Sequence, residues 1–195
     1  HYPLRRQRQM CIRDRSGLDI LRVTPELNEE TPWVNVQGFS SGFQGFTSEL
    51  RGVIHARSYS RVHVLGLSFG APMAFFTGLA IGASTITTLG LASVPEGFGS
   101  EHDSLWAAAR QGVSDGDARS LPRYAFVAGA LEERDVGVAK DMASLFPNSV
   151  AVVVQGAPHN PLNELANRGL LATFFAELRK GFVGANGRPP AASSI

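Results

Sequence analysis

The sequence is almost free of cysteine: Cys11 is the single one among 195 residues, and it lies near the amino terminus. Residues 16–195 therefore offer no disulfide, no thiol nucleophile and no thiolate metal ligand. Long apolar runs are also missing, and the richest one, residues 71–83, is shorter than the run of about 18 residues that a membrane-spanning helix needs. We predict no membrane span and expect residues 71–83 to be buried in a folded domain.

Charged residues make up only 18% of the chain, and neither sign dominates. The first 15 residues hold five arginines against Asp14, a net charge of +4, which leaves 13 basic and 16 acidic residues in the rest, a net charge of −3. This balance argues against a nucleic-acid partner. Because 44% of the residues are hydrophobic, the composition indicates one globular domain rather than disorder, collagen or a coiled coil.

The amino-terminal segment differs from the rest of the chain. Residues 10–15, Met-Cys-Ile-Arg-Asp-Arg, resemble the translation of a transposon end used to prepare sequencing libraries. We interpret residues 1–15 as a non-native segment and leave them out of the fold prediction, with a natural basic tail as the alternative. The native amino terminus and any signal peptide are then undetermined, and the cytoplasm is the favoured compartment.

From residue 16 onward, short β-rich runs alternate with helical runs. This alternation predicts an α/β fold of three layers, in which helices cover both faces of a mostly parallel sheet. We assign residues 16–181 to this domain and expect residues 182–195, rich in Gly, Pro, Ala and Ser, to be disordered. Strands are predicted over residues 18–23, 61–65, 85–91, 124–131 and 150–154, with a weaker extended piece at 33–36, and helices over residues 43–54, 71–81, 102–111, 136–146 and 162–179.

A serine stands between two of these elements in a glycine-rich setting. Residues 66–70, Gly-Leu-Ser-Phe-Gly, match the G-x-S-x-G pattern in which a serine sits on a sharp strand-to-helix turn, and Gly66 and Gly70 leave room for that turn. Residues 38–42 match the same pattern around Ser40, but a weak strand precedes them and a surface helix follows. The context therefore favours Ser68, and a tight-turn serine without chemistry is the alternative reading.

An acid and a histidine follow two later strands. Asp135 comes four residues after the strand predicted to end at Leu131, and His159 comes five residues after the strand predicted to end at Val154. Because the carboxyl ends of parallel strands meet at one edge of a sheet, we expect Ser68, Asp135 and His159 to lie close together. Glu132 and Glu133 are close neighbours in the sequence, and either could be a simple solvated charge. His159 could instead cap the helix that begins at Pro161.

The chain resembles the alpha/beta-hydrolase superfamily over residues 17–179. The likeness lies in G-L-S-F-G, in E-E-R-D after one strand, in G-A-P-H-N after the last one, and in the order Ser, Asp, His. The run from His159 to Leu171 is also similar to bacterial hydrolase-fold proteins linked to surface-glycan modification. The resemblance implies that the first strands of the fold lie upstream of residue 16 and that the chain is a fragment.

The resemblance also implies a mechanism. Ser68 would be the nucleophile, His159 its general base, Asp135 the residue that orients the histidine, and the Phe69 backbone N–H an oxyanion donor. We therefore expect a serine hydrolase that cleaves a small carboxylic ester or thioester, without a metal or organic cofactor. The second oxyanion donor of the family has no recognisable motif ahead of Ser68. The alternatives are transfer of the acyl group to a sugar hydroxyl, and a non-catalytic or incomplete module; the oligomeric state is undetermined.

Several other residues are assigned structural roles. Met73, Phe75 and Phe76 are predicted to be core residues on the buried helix, and Asp141 is predicted to lie on a helix surface. His63, inside a strand, is expected in the core or an interface. His55 and His102 are expected to be solvated.

Overall fold

The structure of the chain is a computed structural model that describes residues 12–13, 19–21, 23, 42–93, 100–114, 122–180 and 193–194. Near the amino terminus, β1 (Ile12–Arg13) pairs antiparallel with β2 (Asp19–Ile20), which falls inside the strand expected over residues 18–23. The extended piece expected at residues 33–36 and Ser40 of the second serine motif lie outside the described residues.

The central sheet is parallel and follows the order of the chain. Its strands are β3 (His63–Leu67), β4 (Thr85–Leu89), β5 (Arg123–Gly129), β6 (Ser149–Val154) and the two-residue β7 (Ser193–Ser194), each paired with the next. The predicted α/β class with a parallel sheet is therefore confirmed. Of the tail 182–195, for which disorder is expected, Ser193–Ser194 are paired with β6, and the other residues lie outside the described part.

Six helices accompany the sheet in the described residues. They are α1 (Gly42–Ala56), α2 (Gly70–Ile81), α3 (Ser100–Ser114), α4 (Glu133–Leu145), α5 (Pro161–Asn167) and α6 (Leu171–Lys180). α2 is strongly apolar and ends at Ile81. The next residue, Gly82, caps the helix in a left-handed conformation, and its N–H bonds to carbonyls of the last turn. No helix in the described ranges is both long enough and apolar enough to cross a membrane.

The two faces of the sheet are covered by different helices. On one face, α2 and α4 bury an aromatic cluster that includes Phe75, Tyr124 and Phe146. On the other face, α5 and α6 bury an aliphatic cluster formed by alternate residues of β5 and β6 together with Leu165 and Phe174. The side chains of a strand point alternately to opposite faces, so the short Val- and Ala-rich strands supply both cores and produce three layers.

The closing helix was predicted as one element over residues 162–179, and that prediction is wrong. α5 ends at Asn167 and α6 begins at Leu171, because Gly169 has a φ of +69° and interrupts the helical hydrogen bonds. The Leu170 N–H reaches back to the Leu165 carbonyl at 2.8 Å, which closes the turn. A glycine within an otherwise amphipathic run was the available signal.

The structure places three histidines for which the sequence made predictions. His102, expected to be solvated, is only 1% exposed, and its ring centroid is 4.6 Å from those of Phe43 and Phe76. Packing of α3 against α2 buries it. His63, expected in the core or an interface, is exposed on β3, which is the edge strand of the described sheet. The core alternative is therefore wrong, and the interface alternative stays a prediction. His55 is exposed, as expected, and Phe75 and Phe76 are fully buried core residues.

Candidate active site

Ser68 occupies the turn between β3 and α2. Its φ is +52°, in the left-handed region that residues other than glycine rarely adopt. The turn is held from two sides, because the Ser68 N–H donates to the Leu89 carbonyl at 2.8 Å and the Ala71 N–H donates to the Ser68 carbonyl at 2.9 Å. β3 extends two residues further than predicted and ends at this turn, so Ser68 lies at the carboxyl edge of the sheet.

The two glycines of the serine motif differ in what they permit. A Cβ at Gly66 would collide with the Gly70 carbonyl oxygen and the Ala74 side chain, so α2 can approach β3 only because Gly66 lacks a side chain. A Cβ at Gly70 would meet no heavy atom within 4 Å. Steric room at the turn is therefore required at Gly66 and not at Gly70.

Asp135 lies in the first turn of α4, because that helix begins at Glu133 and β5 already ends at Gly129. The residue is 4% exposed. Its Oδ2 atom is 2.6 Å from Nδ1 of His159, which gives the buried carboxylate the partner that burial demands. The neighbouring Glu132 and Glu133 are exposed, so of the three carboxylates Asp135 is the one that faces the histidine.

His159 joins the other two side chains. It lies in the loop between β6 and α5, with Nε2 at 2.7 Å from Ser68 Oγ and Nδ1 at 2.6 Å from Asp135 Oδ2. A carboxylate only accepts hydrogen bonds, so Nδ1 carries the hydrogen and Nε2 is left to accept the hydroxyl proton of Ser68. Residues 68, 135 and 159 are far apart in the chain, and the parallel sheet brings them together at one edge.

The loop that carries His159 is fixed at both ends. At its start, Arg168 Nη2 donates to the Gln155 carbonyl at 2.6 Å, while Arg168 Nε pairs with Glu164 at 2.7 Å. At its end, the Asn160 side chain accepts from the Leu162 N–H at 3.1 Å and caps α5. Asn160 therefore provides the cap that sequence reasoning considered for His159, and the histidine is available to pair with Ser68.

Two glycines behind the histidine loop were missed by the sequence analysis. Gly90 follows β4 with a φ of +61°, and a Cβ there would lie 2.6 Å from the His159 carbonyl oxygen. Gly129 ends β5, and a Cβ there would collide with the carbonyl oxygens of Ala157 and Pro158. The available signal was a glycine at the carboxyl end of each strand, next to the loops where the polar candidates lie.

Phe69 immediately follows Ser68 and is the N-cap residue of α2. The amino end of a helix carries partial positive charge, which favours a negative group placed beside it. The side chain of Phe69, the residue that follows Ser68, is 51% exposed. The predicted oxyanion donor thus lies at a helix terminus whose electrostatics suit a developing oxyanion.

No group of three or more His, Cys, Asp or Glu side chains within the described ranges is arranged to hold a metal ion. The exposed Asp141 lies on α4, away from the bonded trio. The site consists of the Ser68 hydroxyl, the His159 imidazole and the buried Asp135 carboxylate, which are joined by two consecutive hydrogen bonds.

The fold and the site define an α/β protein with a parallel sheet whose carboxyl edge carries Ser68, His159 and Asp135. Comparison of the chain with protein-family models, with curated proteins and with solved structures gives no match.

Proposed function

We propose that this chain is a serine hydrolase of the alpha/beta-hydrolase type, which cleaves a carboxylic ester or thioester through an acyl-enzyme on Ser68. The observation that carries the proposal is the hydrogen-bonded line from Ser68 Oγ through the His159 ring to Asp135, with both distances below 2.8 Å. A nucleophile, a base and a residue that orients the base are the three parts that serine catalysis requires.

In the first half-reaction, Ser68 Oγ attacks the acyl carbon while its proton passes to His159 Nε2. The tetrahedral intermediate collapses, the bond to the leaving group breaks, and His159 returns the proton to the departing oxygen or sulfur atom. Asp135 accepts the Nδ1–H throughout and stabilises the positive ring. The Phe69 N–H at the start of α2 donates to the oxyanion, and one such donor contributes about 3 kcal/mol in comparable sites.

In the second half-reaction, a water molecule takes the place of the leaving group. His159 removes its proton as the water oxygen attacks the acyl carbon, and then returns that proton to Ser68 Oγ as the acid departs. His159 has a side chain that is 42% exposed, so water can reach the base.

The left-handed backbone at Ser68 also supports the proposal. Among the described non-glycine residues, Ser58 and Ser68 have positive φ, both at +52°. Ser58 is exposed and lies just after α1, in an ordinary helix-ending turn, whereas Ser68 is tied to a histidine. Backbone strain that points a hydroxyl at a base is typical of a functional turn.

The test compares hydrolysis of 4-nitrophenyl acetate and of an acyl thioester by the parent chain, Ser68→Ala and Ser58→Ala, all in a Cys11→Ser background so that no thiol reacts with the substrate. We expect Ser68→Ala to lower kcat by as much as about 10⁶-fold, to the residual rate that substrate binding and the oxyanion donor alone support, while Ser58→Ala keeps full activity. Equal rates for the parent chain and Ser68→Ala would contradict the proposal and leave a non-catalytic module.

A further inference from the structure

The end of β4 contacts both halves of the candidate site. The Leu89 carbonyl accepts the Ser68 N–H at 2.8 Å, so it fixes the turn that carries the serine. The next residue, Gly90, lies against His159, and its own N–H donates to the Val127 carbonyl at 2.9 Å on β5. Two consecutive residues therefore connect the serine turn to the histidine.

Gly90 approaches His159 more closely than any residue with a side chain could. A Cβ built on Gly90 would lie 2.6 Å from the His159 carbonyl oxygen, 3.0 Å from ring atom Cε1 and 3.2 Å from Nδ1. The first of these distances is shorter than real carbon contacts allow, and it involves backbone, which cannot rotate away. One α-hydrogen of Gly90 points along that direction, so the backbone of Gly90 itself forms a wall against the imidazole.

The His159 ring needs this support to keep its orientation, because much of the ring is exposed to solvent. The His159 side chain is 42% exposed, compared with 5% for Asp135. Asp135 and Ser68 hold the two ring nitrogens, but these two hydrogen bonds do not prevent the ring from rotating about the line that joins them. The Gly90 backbone lies so near Cε1, the atom between the two nitrogens, that an added Cβ would be 3.0 Å from it. Little space is therefore left for the ring to rotate on that side, which keeps Nε2 directed at Ser68 Oγ.

We propose that Gly90 is a positioning residue for His159: with Leu89 it sets the separation between the serine hydroxyl and the imidazole, and only glycine can fill the position. The inference rests on the proposed roles of Ser68 and His159. Gly90 touches no substrate and moves no proton; it acts through the ring that it supports.

The chain offers a matched control in Gly82. Its φ is +66°, close to the +61° of Gly90, but a Cβ there would meet nothing within 4 Å. Gly82→Ala therefore imposes the same left-handed strain on an alanine without touching the site. Any difference between Gly90→Ala and Gly82→Ala reports the collision with His159 and not the backbone conformation.

We expect Gly90→Ala to lower kcat for 4-nitrophenyl acetate by about 100-fold with little change in KM, because misplacing a catalytic group by about 1 Å has that cost. Gly82→Ala should retain kcat within about twofold, since it alters no contact of the site. Urea unfolding of both variants establishes that each is folded during the assay. Equal kcat values for the two variants would overturn the inference.

Nuclear magnetic resonance tests the inference without relying on activity. In the Cys11→Ser chain labelled with ¹⁵N-histidine, the low-field proton on His159 Nδ1 reports the hydrogen bond to Asp135. We expect this signal to shift or broaden in Gly90→Ala and to stay unchanged in Gly82→Ala. An unchanged signal in Gly90→Ala would overturn the inference even if the chain proves to be a poor hydrolase.

A third measurement needs no variant and decides the matter if Gly90→Ala does not fold. The unsubstituted chain should show a strong nuclear Overhauser effect between a Gly90 α-proton and the Hε1 proton of the His159 ring. Absence of this effect would place the ring away from Gly90 and overturn the inference. Hydrolysis by the same sample reports separately on the proposed function.

Discussion

The carboxyl edge of the sheet differs from the interior beneath α2 and α4 in the kinds of residue that form it. The interior is packed with rings: Phe75 is fully buried and has four aromatic neighbours with ring centroids 5.6–6.0 Å away. The edge instead holds a serine with a strained backbone, a buried carboxylate, a half-exposed histidine and two glycines in tight contact with its loop. The aromatic interior stabilises the fold, whereas the strained backbone and the buried carboxylate at the edge lower its stability.

The difference indicates which substitutions should separate stability from activity. A change at the edge should alter the chemistry of Ser68 while the fold survives, because few large apolar side chains are involved. A change in the aromatic interior should weaken the fold while the site of each folded molecule stays intact. Functional sites in general carry strain that the rest of the structure offsets.

After Ser68→Ala, the largest effect on activity is expected for Asp135→Asn. The amide keeps the shape of the carboxylate but favours the wrong histidine tautomer, which lowered kcat by about 10⁴-fold in a comparable triad. The measurement is kcat for 4-nitrophenyl acetate in the Cys11→Ser background. Asp141→Asn is the matched control, because Asp141 lies exposed on the same helix. If Asp135→Asn and Asp141→Asn differed by less than about tenfold, Asp135 would not be the orienting residue.

A smaller but substantial effect on stability is expected for Phe75→Ala. Removing a fully buried phenyl ring leaves a cavity and costs about 3–5 kcal/mol of unfolding free energy. The measurement is the urea midpoint, together with kcat per folded molecule, which should be unchanged. Phe175→Ala is the control, since Phe175 is 43% exposed and a surface change of this type costs about 0.5 kcal/mol. Equal losses for the two variants would contradict the packing described for α2.

The smallest effect, and one of opposite sign, is expected for Tyr124→Phe. The Tyr124 hydroxyl is buried and has no hydrogen-bond partner among the described residues, so its removal should stabilise the fold by about 1 kcal/mol. Burial also raises the pKa of Tyr124 well above its ordinary value. The hydroxyl therefore ionises more readily in the unfolded chain, and stability falls as the pH rises through about 10.

Urea midpoints at neutral pH and above the ordinary tyrosine pKa test both statements. Tyr124→Phe should be more stable than the parent chain at neutral pH, and the advantage should grow in alkali. A loss of about 1 kcal/mol at neutral pH would mean that the hydroxyl has a partner after all.

The order of strands, helices and polar residues along the chain predicted the fold class. It also predicted which three residues form the hydrogen-bonded trio. The parallel sheet was readable because aliphatic runs such as residues 150–154 are typical of strands buried on both faces. Ser68, Asp135 and His159 could be grouped because each follows a strand, and parallel strands share one carboxyl edge. These inferences depend on local pattern and chain order, which sequence records directly.

Other features depend on contacts between distant segments and were not predicted. The burial of His102 results from the packing of α3 against α2, and nothing in the composition of α3 specifies that neighbour. The role of Gly90 depends on a loop 69 residues later in the chain. The end of β4 at Leu89 rather than Leu91 has a local origin, because the left-handed Gly90 stops the strand.

The most direct test is to map the site of covalent modification by a fluorophosphonate, a reagent that phosphonylates serines activated by a neighbouring base. We expect peptide mass spectrometry to find the adduct on Ser68, and we expect His159→Gln to slow its formation by several orders of magnitude. An adduct on another residue, or labelling of Ser68 at the same rate in His159→Gln, would contradict it.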